Sequence, residues 1–105
     1  MATPESKVKK KGRIILDQMG AYHFPPFSGG YGRAGVPDDV CCYRGYFIGI
    51  EYKANGGKPT ALQLRELRLI RESGGIALII DETNVENLME LIHGEIQTIE
   101  RTNSS

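Results

Sequence analysis

The five-residue apolar run Ile76–Ile80 constrains the fold more than any other segment of this 105-residue chain. It lies between a Gly-Gly pair and Asp81, which is the pattern of a strand buried on both faces. Such a strand belongs to a sheet with helices on both sides, and a crossover helix connects it to a parallel neighbour. We therefore predict a helix immediately before this strand.

Residues 60–72 have the sequence of that crossover helix. Thr60-Ala-Leu-Gln63 has the form of a capping box, in which the Thr and Gln side chains satisfy free amide groups of the first turn. The apolar residues that follow at helical spacing are Leu64, Leu67 and Ile70.

Two segments further upstream predict an antiparallel hairpin. Val40–Tyr43 and Tyr46–Lys53 are rich in β-branched and aromatic residues, and the intervening Arg44-Gly45 fits a tight turn. The second strand alternates, so successive side chains leave opposite faces of the sheet. One face carries Tyr46, Ile48, Ile50 and Tyr52, and the other carries Phe47, Gly49, Glu51 and Lys53.

The remaining segments complete a small α/β (α+β) domain. We predict a helix over residues 5–19, a short strand over 21–24 and a glycine-rich loop over 28–37. A second capping box at 83–86 opens a helix that ends before Gly94, and residues 95–105 are weakly patterned. The order α-β-β-β-α-β-α predicts one mixed sheet with helices packed against it. The length suits a single domain over residues 1–105.

Composition excludes several classes of protein. With 40% hydrophobic and 25% charged residues, and no apolar run near the roughly 18 to 20 residues that cross a bilayer, the chain fits neither the disordered nor the membrane-spanning class. Its first residues lack a secretory signal, so we expect a cytoplasmic protein without a membrane partner. Cys41 and Cys42 are adjacent and are predicted to be free thiols, and His23 and His93 stand apart, which disfavours a zinc site.

The formal net charge is zero, but the charges are unevenly distributed. Residues 1–60 hold nine Lys and Arg against five acidic residues, and this asymmetry permits a basic face on a neutral protein. Ordinary solvated helix surfaces explain the same distribution about as well.

A possible catalytic constellation surrounds the second strand of the hairpin. Glu51 and Lys53 are two residues apart, so their side chains leave the same face side by side. Taken alone, this pair is most simply an exposed surface pair. Asp38, however, follows Gly35-Val36-Pro37 and directly precedes the paired strand. The hairpin can therefore bring the Asp38 carboxylate beside Glu51.

Two neighbouring carboxylates repel each other, and a hard divalent cation relieves this repulsion by taking oxygen ligands from both. Mg²⁺ keeps several waters and can add a backbone carbonyl, for which Tyr52 lies between the two functional side chains. Such an ion neutralises phosphate oxygens and lowers the pKa of a bound water. Lys53 could then orient that water, so the pattern predicts phosphodiester hydrolysis.

The combination of Gly35-Val36-Pro37-Asp38, Ile50-Glu51-Tyr52-Lys53 and Lys58-Pro-Thr-Ala-Leu-Gln63 resembles the PD-(D/E)XK nuclease superfamily, and in particular its virus-type replication-repair nuclease (VRR-NUC) branch. The likeness covers about residues 5–92. It implies a restriction-endonuclease-like core with Mg²⁺ or Mn²⁺ as cofactor. It also implies that Asp38 and Glu51 bind the metal, that Lys53 assists the water and that Gln63 supports the site. The family glutamate on the first helix corresponds to Glu5.

The same resemblance implies the substrate. Small members of the family form homodimers and cut branched DNA such as four-way junctions, so we expect a structure-selective endonuclease in phage or prophage replication or repair. Its setting would be the cytoplasm of a bacterial or phage-infected cell. The alternative is a binding module for DNA or a partner protein that has the same fold and no catalysis. A metal-free regulatory domain is a third reading, which the Gly-Val-Pro-Asp segment disfavours.

Several residues allow two interpretations. Gln63 is also the third residue of a capping box, and both roles can coexist. Asp39 could replace Asp38, but neighbouring strand residues face opposite ways, so only one of them reaches Glu51. His23 fits a structural or surface role better than that of a catalytic base.

The expected DNA contacts are basic or aromatic. Tyr31 and Arg33 lie in the glycine-rich loop, where they could contact bases or phosphates or belong to a plain loop. The lysines of the first helix either solvate it or attract a phosphate backbone. The residues assigned to DNA binding are Lys9, Lys10, Tyr31, Arg33 and Lys58.

Overall fold

A computed structural model of the chain describes residues 2–27 and 32–104. The elements are α1 (Pro4–Gln18), β1 (Tyr22–Phe24), β2 (Asp39–Tyr43), β3 (Tyr46–Tyr52), α2 (Ala61–Glu72), β4 (Ile76–Ile80) and α3 (Leu88–Asn103), with a single 3-10 turn (Val85–Asn87) before α3. This order confirms the predicted α-β-β-β-α-β-α arrangement. None of the helices in the described ranges is long and apolar enough to cross a membrane.

The four strands form one mixed sheet in the order β1-β2-β3-β4. β1, β2 and β3 pair antiparallel, and β4 pairs parallel to β3 with Ile50 opposite Leu78. The predicted hairpin turn is present, because Arg44 and Gly45 both have positive φ angles, 52° and 83°, as a two-residue type I′ turn requires. The crossover from β3 to β4 runs through α2, as the apolar run predicted.

The main core lies on the sheet face that carries Ile48, Ile50 and Tyr52, all of which are fully buried. α1 and α3 cover this face. Gly12 of α1 lies against the Tyr52 ring, and a Cβ atom at this position would be 2.6 Å from Tyr52 Oη. Glycine weakens a helix interior, but here it allows α1 to approach β3 closely. The other core residues of the helices include Val8, Leu16, Leu88, Ile92 and Ile96.

The opposite face of β3 lies beneath α2 and the segment before β2. A Cβ atom at Gly49 would be 2.6 Å from the Ile70 side chain and 3.0 Å from Pro37. The same cover extends over Glu51, of which only 1% is exposed. Glu51 and Lys53 therefore do not form the exposed surface pair that the spacing alone suggests.

The start and the length of α3 differ from the prediction. Thr83 does not cap the helix. Its amide and hydroxyl donate hydrogen bonds to Asp81 Oδ1, and the Asp81 amide donates to Asn84 Oδ1. The predicted capping box at 83–86 is therefore wrong, and α3 begins at Leu88. The helix also continues through Gly94 to Asn103, because Ile96 is buried and Ile99 packs against the core.

Two predicted apolar positions are also more exposed than expected. Ile79 is 37% exposed, although the other four residues of β4 are buried as predicted. Leu64 is 49% exposed, and the buried residues of α2 are Glu66 and Leu67.

Replacing Gly12 with alanine tests the contact between α1 and β3. Because the added Cβ would overlap the Tyr52 ring, we expect Gly12→Ala to lower the free energy of unfolding by about 1–3 kcal/mol, despite the better helix propensity of alanine. The matched control is Gly94→Ala in α3, where a Cβ atom meets nothing within 4 Å. This substitution should raise the free energy of unfolding by about 0.4–1 kcal/mol. Urea denaturation measures both. Equal stabilisation by the two substitutions would contradict the packing described.

Candidate functional site

Asp38 lies at the end of β3, where the hairpin was predicted to bring it. Its Oδ2 accepts a hydrogen bond of 2.8 Å from the backbone N–H of Tyr52. The N–H and C=O of one strand residue point to the same side, so the Tyr52 carbonyl leaves β3 on the same side as the amide that binds Asp38. Asp38 Oδ1 is left to face α1, where Lys9 Nζ lies 3.7 Å away.

Asp39 has a different environment from its neighbour. It is fully buried, and Arg13 Nε donates to both of its carboxylate oxygens at 3.0 and 3.1 Å. This hydrogen bond raises the pKa of Arg13. Burial, and then the charge of Asp39, raise the pKa of the Tyr52 hydroxyl. The two aspartates thus separate as strand alternation requires, and Asp39 ties α1 to the sheet.

Glu51 occupies the buried centre of the site. Its Oε1 accepts a 3.2 Å hydrogen bond from Gln63 Nε2 and lies 3.9 Å from Lys53 Nζ. Burial, followed by the hydrogen bond and the charge of Asp38, raises the pKa of Glu51 to about 8, although Lys53 opposes the shift. Glu51 can therefore hold a proton at neutral pH. When Glu51 is ionised, no donor in the described part of the chain reaches its Oε2.

This donor set fits a hard divalent cation. A hard cation relieves the repulsion between neighbouring carboxylates, and the buried Glu51 Oε2 has no partner among the described residues. Asp38, Glu51 and the Tyr52 carbonyl offer only oxygen atoms. Within residues 2–27 and 32–104 no group of three or more His, Cys, Asp or Glu side chains could hold a metal. Most of the coordination sphere would thus be water, as Mg²⁺ prefers.

Gln63 makes the capping contacts and also contacts Glu51. The Gln63 side-chain oxygen Oε1 accepts a hydrogen bond from the Thr60 backbone N–H. The Gln63 backbone N–H donates to Thr60 Oγ1, which completes the predicted capping box. Its Nε2 is then left to donate to Glu51. The start of α2 therefore fixes the side chain that holds Glu51.

Glu5 is part of α1 rather than of a preceding segment. Thr3 caps the helix by accepting from the Ser6 amide, and Pro4 begins it. Glu5 Oε2 lies 3.8 Å from Lys9 Nζ, so Glu5 connects to Asp38 through Lys9. Its negative charge also contributes to the raised pKa of Glu51.

A polar cleft of about 350 Å³ opens beside Asp38 and Gln63, with the segment 32–36 as its other wall. Arg33 of that wall pairs with Glu66 of α2, with Nε 2.7 Å from Oε1. Because Glu66 is only 6% exposed, Arg33 anchors the loop to α2, a contact that the sequence did not predict. Gly35 allows the approach, since its φ is +78° and a Cβ there would be 2.7 Å from the Leu62 backbone.

The remaining residues that were predicted to bind DNA are Lys10, Lys58 and Tyr31. Lys10 and Lys58 are exposed, and Tyr31 lies outside the described residues. His23 lies on β1, with Nε2 2.6 Å from Asp17 Oδ1, which favours the structural interpretation. Cys41 and Cys42 are free thiols, as predicted.

The comparisons with known proteins agree with this geometry. A solved structure described as a VRR_NUC domain matches with 26% identity and a TM-score of 0.70, over 85% of this chain and 97% of that one. This chain shares the VRR-NUC fold. A second match is Hjc, a Holliday junction resolvase from the archaeal hyperthermophile Archaeoglobus fulgidus, with 18% identity, a TM-score of 0.54 and coverage of 70% of this chain and 64% of that one.

These two matches confirm the resemblance and the fold predicted from the sequence. Neither a protein-family model nor a curated protein matches the chain significantly by sequence. The VRR-NUC likeness therefore rests on the three-dimensional structure together with the spacing of the Asp38, Glu51 and Lys53 motif.

The raised pKa of Glu51 predicts a pH dependence of stability. Glu51 has a pKa near 8 in the folded protein and near 4.3 when unfolded, so the folded state binds the extra proton between these values. The stabilisation is present below pH 4 and is lost as the pH rises to about 8, with a slope of up to about 1.4 kcal/mol per pH unit. Urea denaturation in chelator from pH 5 to 9 measures this loss.

The control for this measurement is Glu51→Gln, which keeps the hydrogen-bonding shape but has no titrating carboxyl. We expect its stability to change less with pH than that of the unsubstituted protein. Parallel pH profiles for the two proteins would contradict the raised pKa.

Proposed function

We propose that the chain is a metal-dependent endonuclease that hydrolyses phosphodiester bonds in DNA. The observation that carries this proposal is the grouping of four side chains at one end of β3. Gln63 and Lys53 contact Glu51, and Asp38, held by the Tyr52 amide, is close enough to raise the pKa of Glu51. The fold is shared with a VRR_NUC domain. The open cleft beside Asp38 and Gln63 gives a substrate access to these two side chains.

In this proposal the side chains of Asp38 and Glu51 and the carbonyl of Tyr52 would hold Mg²⁺ or Mn²⁺. When bound, the ion neutralises phosphate oxygens and lowers the pKa of an attacking water. Gln63 fixes the Glu51 carboxylate by a hydrogen bond to Oε1. Lys53, whose side chain is only 16% exposed, donates a hydrogen bond to the water. Its positive charge stabilises the negative charge that develops on the phosphoryl oxygens. A P–O bond to the water oxygen forms as the P–O bond to the leaving sugar oxygen breaks. The water releases a proton to solvent, and the leaving sugar oxygen takes one up from solvent to become a hydroxyl.

The proposed substrate is branched DNA. A domain of this size has little surface for reading bases next to its own site, so recognition of phosphates and shape is the simpler mode. Lys10 and Lys58 are exposed and are our proposed phosphate contacts. Hjc, which shares the fold, is a Holliday junction resolvase. We therefore place this activity on four-way junctions, in phage or prophage replication or repair in the cytoplasm.

We further propose that the enzyme is a homodimer, because a two-fold axis supplies the two cuts that a symmetric junction needs. An apolar part of the sheet supports this assembly. Tyr22 and Phe24 of β1 lie beside Val40, Cys42 and Phe47, and the three aromatic residues are 71%, 46% and 49% exposed. None of these five side chains is charged, so they can pack against the same side chains of a second copy without repulsion.

A cleavage assay tests the proposed activity. The protein is incubated with supercoiled plasmid and with a synthetic four-way junction, in Mg²⁺, Mn²⁺ or excess chelator. We expect cutting only with metal, and at least 100-fold less cutting by Glu51→Gln and Lys53→Met, because general acid–base and charge-stabilising groups contribute about that much.

The matched control for these variants is Glu90→Gln, an exposed position on α3, which should cut normally. DNA binding by Lys53→Met should be largely kept. Cutting that persists in chelator would overturn the metal mechanism. Binding without any cutting by the unsubstituted protein would instead indicate the non-catalytic module.

Sedimentation equilibrium tests the dimer. We expect the unsubstituted chain to have twice the mass of 11.6 kDa, and the double variant Phe24→Ser/Phe47→Ser to be monomeric at micromolar concentration because it loses apolar contact area. Met89→Ser is the control, since Met89 is an equally exposed apolar residue (43%) on α3, and should remain dimeric. A monomeric unsubstituted chain would contradict the paired-cut proposal.

A further inference from the structure

Among the four lysines of α1, Lys9 has a distinct environment. Lys7, Lys10 and Lys11 are exposed, whereas Lys9 is partly buried against the site. Its Nζ lies 3.7 Å from Asp38 Oδ1 and 3.8 Å from Glu5 Oε2. Lys9 is thus positioned as a counter-ion of the acidic site.

The two contacts of Lys9 are loose. A direct hydrogen bond between an ammonium and a carboxylate is about 2.7–2.9 Å, so distances of 3.7 and 3.8 Å are electrostatic attraction without a tight bond. The side chains involved are 24–43% exposed, and pairs of this kind are weak. A divalent cation, with twice the charge, can displace the ammonium.

The position of Lys9 also places it in competition with a metal. Asp38 Oδ2 already accepts from the Tyr52 amide, so Oδ1 is the oxygen with more freedom to bind a cation. Lys9 faces that same oxygen. The ammonium and a metal ion would repel each other there, and entry of the metal therefore requires Lys9 to turn away from Asp38.

We propose that Lys9 exchanges partners between the protein and the substrate: it neutralises Asp38 and Glu5 in the metal-free protein and turns to a DNA phosphate when the site is loaded. This inference rests on the proposed function, because it takes the metal and the DNA from it. A lysine side chain rooted on α1 at the mouth of the site needs only rotamer changes to make this switch.

The exchange makes metal and DNA binding mutually favourable. A metal that releases Lys9 from Asp38 frees the ammonium for a phosphate, and a phosphate that holds Lys9 uncovers Asp38 Oδ1. Since coupling between two ligands is reciprocal, each ligand should tighten the binding of the other. If Lys9 only attracted phosphates, removing it would leave the affinity for metal unchanged. If Lys9 only positioned Asp38, removing it would weaken metal binding.

The test compares Lys9→Met with Lys7→Met, which removes an exposed lysine of the same helix that has no assigned part in DNA binding. Mn²⁺ binding is measured without DNA by electron paramagnetic resonance and calorimetry. We expect Lys9→Met to bind Mn²⁺ about fivefold more tightly than the unsubstituted protein, which corresponds to a coupling near 1 kcal/mol. Lys7→Met should bind Mn²⁺ as the unsubstituted protein does. Circular dichroism verifies that each variant is folded.

A second measurement follows junction binding in a Lys53→Met background, in which cutting is not expected. Mn²⁺ should tighten DNA binding in this background and with Lys7→Met added, but clearly less with Lys9→Met added. Equal or weaker Mn²⁺ binding by Lys9→Met would overturn the exchange while the nuclease proposal stands. No Mn²⁺ binding by the unsubstituted protein, or binding that Asp38→Asn leaves intact, would overturn the metal site and the exchange together.

Discussion

The hydrogen bond from the Tyr52 amide to Asp38 connects the glycine-rich segment to the strand that carries Glu51 and Lys53. Tyr52 is held in place from below, because its ring is fully buried against Gly12 of α1. The amide is therefore a fixed point to which a loop carboxylate can attach. One strand residue thus serves the core with its side chain and the candidate site with its backbone.

The candidate site depends on burying a carboxylate that has few partners. Glu51 loses almost all contact with solvent, and burial is the largest cause of its raised pKa. Gln63 and Lys53 compensate only Oε1. Unsatisfied buried oxygens cost free energy, and a cation between Asp38 and Glu51 would recover it. The same feature that weakens the metal-free protein at higher pH therefore favours metal binding.

Local sequence patterns predicted much of this arrangement. The Ile76–Ile80 run, the Arg44-Gly45 turn and the Thr60-Gln63 capping box each follow from interactions within a few residues, and all three are present. Alternation along a strand also predicted that Asp38 and Asp39 would separate. The metal-binding role of Asp38 stays a prediction, whereas Asp39 pairs with Arg13 and connects α1 to the sheet.

Contacts between distant segments could not be predicted in the same way. Arg13 and Asp39 are 26 residues apart, and nothing near either residue identifies the other. The same holds for Gly12 under Tyr52 and for Arg33 on Glu66. The end of α3 is a similar case. Gly94 favours the end of a helix, but α3 continues past it because Ile96 and Ile99 pack against the core. Tertiary packing determines these features.

The most direct test of the shared cation is anomalous diffraction from crystals of the protein grown with Mn²⁺. The account predicts one strong manganese peak at bonding distance from carboxylate oxygens of both Asp38 and Glu51 and from the carbonyl oxygen of Tyr52, with water in the remaining positions. A peak on only one of the two carboxylates, or manganese bound only elsewhere on the surface, would contradict it.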